Sequence, residues 1–549
     1  MPEIPHSASS DSEFPPEHIL VGRRAGWILS GFFLLLLAVP PLVDGLPDRF
    51  RDLAGTFMGK GSSQPIAGRL RDYDARVASA PLTDVPRQWT QEVLTTVLSK
   101  GNDRVVIGKD HWLFYRPEIQ ALTGFGPIQT EPHSVSRDPA LLDWAGPLEP
   151  ILHFADQLEK RGVALWIVPV PMKPGIYPEM LGGRPPDGPV RHRDAATFFQ
   201  TLEAAGIRVV DLAPSLWAAK TSDAAEGPVY LKDDTHWSTR GMMLAARLLA
   251  EAVRQESWWT APAGDAWQGT LTTSLPDHGD LVEKLGLLNP DRWATPRVEP
   301  LHVVEPPPGV KFPDRNSPLV LLGDSFVNIF DDAGLGFQRP DESATSRAGL
   351  AWNFGKELGL APDVYAVNGD GATGVRRWLA QRGESVVRSK KLVIWVIAER
   401  DLFLSRTVAK ANQVTWEQVS IAADPPAGTP PPVPDQLGNV EPIIVEAEAL
   451  ELAEQPDPRR ANYENALFTI RYQVGKVISG KLLERVIEAE HWLFKKRELQ
   501  PASRIKTGLR YRLTLEPWSR HPELLPVNRS DLSDAAPLWW VTAFEKIHP

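Results

Sequence analysis

Short continuous apolar runs alternate with stretches of helical period over residues 101–411. The runs at 163–170, 317–322, 364–367 and 391–397 have the length and the branched side chains of strands buried on both faces. Between them lie segments whose apolar positions recur at helical spacing, at 148–160, 194–205, 350–358 and 374–381. This alternation predicts a parallel sheet flanked by helices, an α/β fold. The run 207–212 adds a further strand, and 104–108 with 112–115, around the turn-like Gly108-Lys109-Asp110-His111, predicts a strand pair. Upstream, Trp89, Val93, Leu94, Val97 and Leu98 share one face of a helix that begins near Gln88.

The pattern changes on either side of this region. Residues 25–43 are uncharged and close to the ~20 residues needed to cross a hydrocarbon core, so they read as a single transmembrane anchor. Arg23 and Arg24 favour a cytoplasmic N-terminus, although Arg49 and Arg51 near the other flank weaken the bias. A cleaved signal peptide is the competing reading; the long polar leader and the lack of a small-x-small site after the apolar run count against it. Residues 1–24 carry too little apolar content to fold and read as a disordered tail. The proline-rich stretch within 412–440 is an extended linker. Beyond it, strand-like alternation at 442–450, 467–474 and 509–515 predicts a small, mainly β module, a barrel or a sandwich, while 482–489 fits either a strand or a short helix. The plan is therefore a tail at 1–24, an anchor at 25–43, a membrane-proximal linker and helix at 44–100, the α/β domain at 101–411, the linker at 412–440 and the β module at 441–549.

Composition narrows the chemistry. Cys is absent from the 549 residues, which removes disulfides, thiolate metal sites and a cysteine nucleophile. A net charge of −10 with no basic cluster argues against nucleic acid as a partner. Two stretches then stand out. Asp234-Thr235-His236-Trp237 offers a carboxylate and an imidazole just before Ser238 or Thr239, either of which can cap the helix that follows. Gly323-Asp324-Ser325-Phe326 offers a serine where a strand gives way to a turn, and active-site residues of open α/β sheets gather beyond the carboxyl ends of strands. A serine hydroxyl becomes a nucleophile when a histidine takes its proton, and a carboxylate orients that histidine. Asp234, His236 and Ser325 supply those parts. Taken singly, Gly-Asp-Ser is also a common turn and Asp-x-His a common helix cap; their joint presence is what points to chemistry.

These residues resemble the signature of the AlgJ/AlgX-type alginate O-acetyltransferases, whose catalytic domain is a variant of the SGNH hydrolase fold. Gly108-Lys109-Asp110-His111-Trp112-Leu113-Phe114-Tyr115, Val168-Pro169-Val170-Pro171-Met172-Lys173 and Val393 to Leu402 are similar to that family too. The resemblance implies an SGNH hydrolase-like parallel sheet, with Ser325 as nucleophile, His236 as base and Asp234 as its orienting acid. It further implies transfer of an acetyl group onto a polysaccharide hydroxyl in the periplasm, from an inner-membrane-anchored enzyme. A multispanning membrane acyltransferase is the implied acetyl donor. Two alternatives stay open: a carbohydrate acetylesterase, and a non-catalytic scaffold or polysaccharide-binding component of a secretion complex. In ordinary SGNH enzymes the serine block comes first, whereas here the histidine block precedes it, and Ala398-Glu399-Arg400-Asp401 stands where an oxyanion asparagine is expected.

Lesser candidates complete the set. The backbone at Ser325 and Gly371, with Asn368, could form an oxyanion hole. Arg400 could bind a sugar carboxylate or the oxyanion, although a pairing with Asp401 is the commoner use of such an arginine. Lys173 could line the cleft, and Trp237 is the best single choice among the 19 Trp residues for stacking on a sugar. Asp277-His278 with Asp280 lacks a second histidine cluster at ligand spacing, so neither a metal nor another cofactor is expected.

Overall fold

The structure, a computed structural model, describes residues 81–128, 146–183, 186–262, 265–340, 346–412, 414–423 and 442–547, apart from short gaps in the last of these at 457, 459–460, 462, 481, 483, 522–523, 525–526 and 533–538. The tail at 1–24 and the anchor at 25–43 lie outside the described residues, as does most of the proline-rich stretch. Among the described residues no helix is long and apolar enough to cross a membrane. The chain separates into two units, Met1–Val93 and Leu94–Pro549. In the first, only the start of helix α1 (Pro81–Leu98) is described.

The second unit begins with an antiparallel pair, β1 (Val105–Ile107) and β2 (Leu113–Tyr115), followed by α2 (Arg116–Thr123). Helix α3 (Leu148–Glu159) leads into β3 (Ala164–Val170), and α4 (Ala195–Ala204) into β4 (Arg208–Val209). The expected strand at 207–212 shrinks to two paired residues because it lies at the sheet edge and has a neighbour on one side only. Helix α5 (Thr239–Arg254) starts where Ser238 accepts the Gly241 N–H, as its sequence predicts. The weakly patterned stretch that follows holds β5 (Gln268–Thr273), α6 (Asp280–Leu285) and β6 (Pro300–Glu305), with β5 and β6 paired antiparallel. Then come β7 (Leu319–Gly323), the single turn α7 (Ser325–Asn328), α8 (Leu350–Leu358), β8 (Asp363–Ala366), α9 (Gly374–Ala380), β9 (Leu392–Ala398) and α10 (Glu399–Phe403).

Strands β4-β3-β9-β7-β8 form one wholly parallel sheet in that order. Alternate side chains of each strand enter different cores. Trp166, Val168, Leu321, Ile394 and Val396 pack with α5 and α8 on one face. Leu165, Ile167, Val320, Leu322, Val393, Trp395 and Ile397 pack with α3, α4 and α9 on the other. Burial on both faces is why these strands read as unbroken apolar runs. Counted from β7, the sheet order becomes 2-1-3-4-5, that of an open doubly wound sheet entered partway through. This permutation accounts for the histidine block preceding the serine block: the strand bearing the serine is topologically first but arrives third in the chain. The switch point falls between β7 and β9, and Ser325 and Arg400 follow those two strands directly.

The C-terminal module is a barrel, which settles the choice between barrel and sandwich. Its strands are β10 (Ile443–Leu452), β11 (Ala466–Ser479), β12 (Val486–Lys495), β13 (Glu498–Leu499), β14 (Arg510–Pro517), β15 (Asn528–Ser530) and β16 (Trp539–Lys546). The order β12-β16-β14-β10-β11 closes because β12 also pairs with β11. The ambiguous stretch at 482–489 becomes strand from Val486, since barrel closure uses it on both edges. Inward residues such as Val445, Phe468, Ile470, Leu513 and Val541 fill the interior.

Candidate active site

Asp234 and His236 sit on a loop closed at its base by a bridge between Tyr230 and Trp237, with the Leu231 N–H donating to the His236 carbonyl (3.1 Å). Neighbouring segments pin the loop from below. The Leu113 N–H of β2 donates to the Lys232 carbonyl (3.0 Å), and the Lys173 ammonium donates to the carbonyls of Leu113 (2.6 Å), Lys232 (2.9 Å) and Asp234 (2.9 Å). Lys173 is fully buried and lies over the rings of Trp112 and Phe114. Burial pulls its pKa down to about 8, against the attraction of Asp233, Asp234, Glu118 and Asp280.

Three N–H groups converge on the Asp234 carboxylate. Oδ1 accepts from the His236 backbone (2.8 Å) and the His236 ring at Nδ1 (2.6 Å), and Oδ2 accepts from the Asp280 backbone (2.8 Å). Since Asp234 can only accept there, Nδ1 of His236 carries the proton and Nε2 is left as an acceptor. Ser325 Oγ lies 2.7 Å from that Nε2, completing the line across 89 residues of sequence. Ser325 is the first residue of α7, whose cap Asp324 accepts the Phe326 N–H (2.9 Å). Phe326 ties the two halves together: its ring stands edge-on to His236 (4.8 Å) and Trp237 (5.3 Å), and its carbonyl accepts the Trp237 indole N–H (3.1 Å).

Ser325 and His236 open into a cavity of about 290 Å³. Its walls come from both parts of the second unit: Tyr115, Asp280, Lys284 and Arg400 from the α/β domain, and Tyr463, Asn465, Trp492 and Lys495 from the barrel. Arg400 reaches it from the end of β9, lies over the rings of Tyr115 and Phe326, and donates to Glu118 (3.2 Å). Burial pushes the Glu118 carboxyl up to about 7, although Arg400 and Lys173 pull the other way. Lys495 stands 4.2 Å from the Trp492 ring at the rim.

The structure brings Ser325, His236, Asp234 and Arg400 together and moves other candidates away. Trp237 is fully buried between the histidine loop and α7, so it has no face for a sugar. Lys173 lies beneath the loop, not in the cleft, because its ammonium is consumed by three carbonyls. Gly371 lies behind Asp324, where a Cβ would come 2.9 Å from the Asp324 side chain, and its carbonyl accepts the Trp395 indole. Asn368 does line the cavity, but its amide donates to Asp332 (2.5 Å) and accepts from Asn328 (2.9 Å). Of the acidic and histidine group at 277–280, His278 bonds to Asp291, while Asp280 joins the triad loop. Ligand-type atoms of Asp234, His236 and Asp280 come within 4.8 Å of one another, yet protein donors already occupy both carboxylates. Sequence reasoning missed Asp280 as a partner of the triad and Trp492 as a wall residue. Asp280 opens a helix, a faint signal; for Trp492 the chain alone holds none.

A doubly wound sheet with a hydrogen-bonded Asp-His-Ser line at its switch point defines an SGNH hydrolase-like protein. Residues 105–399 match the family described as SGNH hydrolase-like domain, acetyltransferase AlgX, and the chain belongs to that family. It is similar to the probable alginate O-acetylase AlgJ of Pseudomonas syringae pv. tomato, 29% identical over 353 residues that cover 60% of this chain and 79% of that protein. The counterpart from Pseudomonas putida is 26% identical over 319 residues, 56% and 72% of the two chains. Among solved structures, the O-acetyltransferase domain of P. putida AlgJ aligns with a TM-score of 0.38 at 24% identity, over 54% of this chain and 91% of that one. Pseudomonas aeruginosa AlgX aligns with a TM-score of 0.37 at 18% identity, over 54% and 61%.

Proposed function

We propose that this protein is an O-acetyltransferase that carries an acetyl group on Ser325 and passes it to a hydroxyl of an exopolysaccharide. The observation that carries the reading is the 2.7 Å contact between Ser325 Oγ and a His236 ring already fixed by Asp234, at the floor of a cavity walled in part by a second module. In the first half-reaction Ser325 Oγ attacks the acetyl carbonyl carbon of a donor ester as His236 Nε2 takes the hydroxyl proton; the tetrahedral adduct then expels the donor oxygen, which receives that proton. In the second, a sugar hydroxyl gives its proton to Nε2 and attacks the acetyl-serine carbonyl, and Ser325 leaves with the proton. Developing negative charge on the carbonyl oxygen would be met by the Ser325 N–H at the head of α7 and by the Arg400 guanidinium.

The relatives carry the name probable alginate O-acetylase, and alginate is accordingly the first acceptor to test. We place the α/β domain in the periplasm on the apolar segment 25–43 as anchor, with a multispanning membrane acyltransferase supplying the acetyl group. The test is intact-mass analysis of the full-length protein after incubation with 4-nitrophenyl acetate, alone and then with deacetylated oligosaccharides. An acetyl adduct lost in Ser325→Ala and His236→Ala, and moving onto sugar, is the expected result. Release to water alone would favour an acetylesterase; no adduct in the parent would favour a scaffold.

A further inference from the structure

Asp280 has no part in the acetyl-transfer steps above, yet its side chain holds the residue between the triad carboxylate and the triad imidazole. Its Oδ1 accepts the Thr235 backbone N–H (2.7 Å), and its Oδ2 accepts the Thr235 hydroxyl (2.7 Å) and the Lys284 ammonium (2.8 Å). Its own N–H donates to Asp234 Oδ2 (2.8 Å), the oxygen that His236 does not use. Thr235 Oγ1 in turn stands 3.3 Å from His236 Nδ1. The approach depends on Gly279, at φ +77°, where a Cβ would come 2.8 Å from the Asp233 carbonyl and 3.0 Å from Asp234 Cβ. The Leu281 N–H then bonds to that same Asp233 carbonyl (3.2 Å). The segment from Gly279 to Leu281 is thus wrapped around residues 233–235.

We propose that Asp280 is a positioning residue for acetyl transfer: a second carboxylate that clamps Thr235, fixes the plane of Asp234, and so sets the aim of His236. The inference rests on the Asp234-His236-Ser325 relay. Its physical content is geometric. A carboxylate that chelates both donors of Thr235 removes the freedom of the loop to rotate about the residue joining acid to base, and misplacement by about 1 Å is enough to cost about a hundredfold in rate. Burial pushes the Asp280 carboxyl up, but Lys284, the charge on His236 and the hydrogen bonds from Lys284 and Thr235 carry it well below the usual carboxylate range, so it stays an ionised acceptor for both donors of Thr235 and for Lys284.

The experiment measures kcat and KM for acetylation of Ser325 by 4-nitrophenyl acetate in the full-length protein, with thermal melts to show that each variant is folded. Asp280→Asn should lower kcat about tenfold to a hundredfold with KM little changed. Asp280→Glu, which keeps the charge but cannot chelate both donors, should not restore the rate. If Asp280→Asn does not fold, the near-isosteric Thr235→Val should still lower kcat severalfold with KM little changed. A parent that acetylates Ser325 while Asp280→Asn, or Thr235→Val in its place, keeps the parental kcat would overturn the role of Asp280 alone. A raised KM at unchanged kcat would make it a donor-binding group instead. Absence of acetyl-Ser325 in the parent would overturn the relay, and this inference with it.

Discussion

Replacing Asp234 by Asn changes one oxygen to an amide nitrogen and leaves the shape of the side chain intact. The surroundings make that single change hard to absorb. Every group around the carboxylate is a donor: the His236 N–H and ring Nδ1–H at Oδ1, and the Asp280 N–H at Oδ2. An asparagine must aim its NH₂ at one of the two sides. Facing Asp280, it sets two donors against each other in a buried site, which costs about 1–3 kcal/mol of stability. Facing His236, it meets the backbone N–H and can bond the ring only if Nδ1 gives up its proton, which puts that proton on Nε2 and leaves Ser325 without a base. A misassigned tautomer of this kind costs about 10⁴ in kcat, or about 5 kcal/mol of transition-state stabilisation. The two orientations will be populated together, so we expect kcat for 4-nitrophenyl acetate to fall by about 10²–10⁴ with KM little changed, and the folded state to lose about 1–3 kcal/mol in urea denaturation. Stopped-flow release of 4-nitrophenol reads the first quantity and the denaturation midpoint the second. Retention of more than a tenth of the parental kcat in a folded variant would refute the relay.

Other substitutions separate the remaining parts of the site. Trp492→Ala should leave the rate of Ser325 acetylation unchanged but raise the KM for an oligosaccharide acceptor about two- to tenfold, the worth of one aromatic contact; an unchanged acceptor KM would remove the barrel from substrate binding. Arg400→Met should slow acetylation by about 10²–10³ if the guanidinium meets the developing oxyanion, and measurement of kcat with KM distinguishes that from loss of substrate binding. Lys173→Met should lower stability by about 2–4 kcal/mol, because buried carbonyls lose a charged donor. Lys173 has its pKa depressed to about 8 in the folded chain, so its contribution is fullest above the ordinary lysine range and is lost as pH falls through that value. The stability gap between parent and Lys173→Met should accordingly widen from pH 8 toward pH 10, and a gap that narrows would contradict the burial argument.

What local pattern could reveal, it revealed. Strands such as Leu392–Ala398 and Ala164–Val170 are apolar on both faces, so their place inside a parallel sheet was legible in sequence. The cap at Ser238 and the motifs at Asp234-Thr235-His236 and Gly323-Asp324-Ser325 were equally plain, because caps and turns are set by residues a few positions apart. The antiparallel pair at Gln268–Thr273 and Pro300–Glu305 was not, since most of Gln268–Thr273 is exposed and has no apolar face to print a period.

The sequence by itself determined the α/β rhythm and the β character of the last hundred residues or so, and it singled out Asp234, His236 and Ser325 as the candidate triad. Tertiary structure alone decided where each of them points. Ser325 meets His236 across 89 residues only because the sheet is entered partway through, bringing the end of β7 to the switch point. Trp237, next to the motif, and Lys173, brought beneath it from the end of β3, turned inward: the loop that holds His236 against Ser325 is itself buried and packs on both of them. Asp280 and Trp492 reach the cavity from a helix start and from the wall of a closed barrel. Hydrogen bonds and cavity walls of that kind join segments whose separation along the chain carries no periodic signal, so they exist only once the fold has brought the segments together.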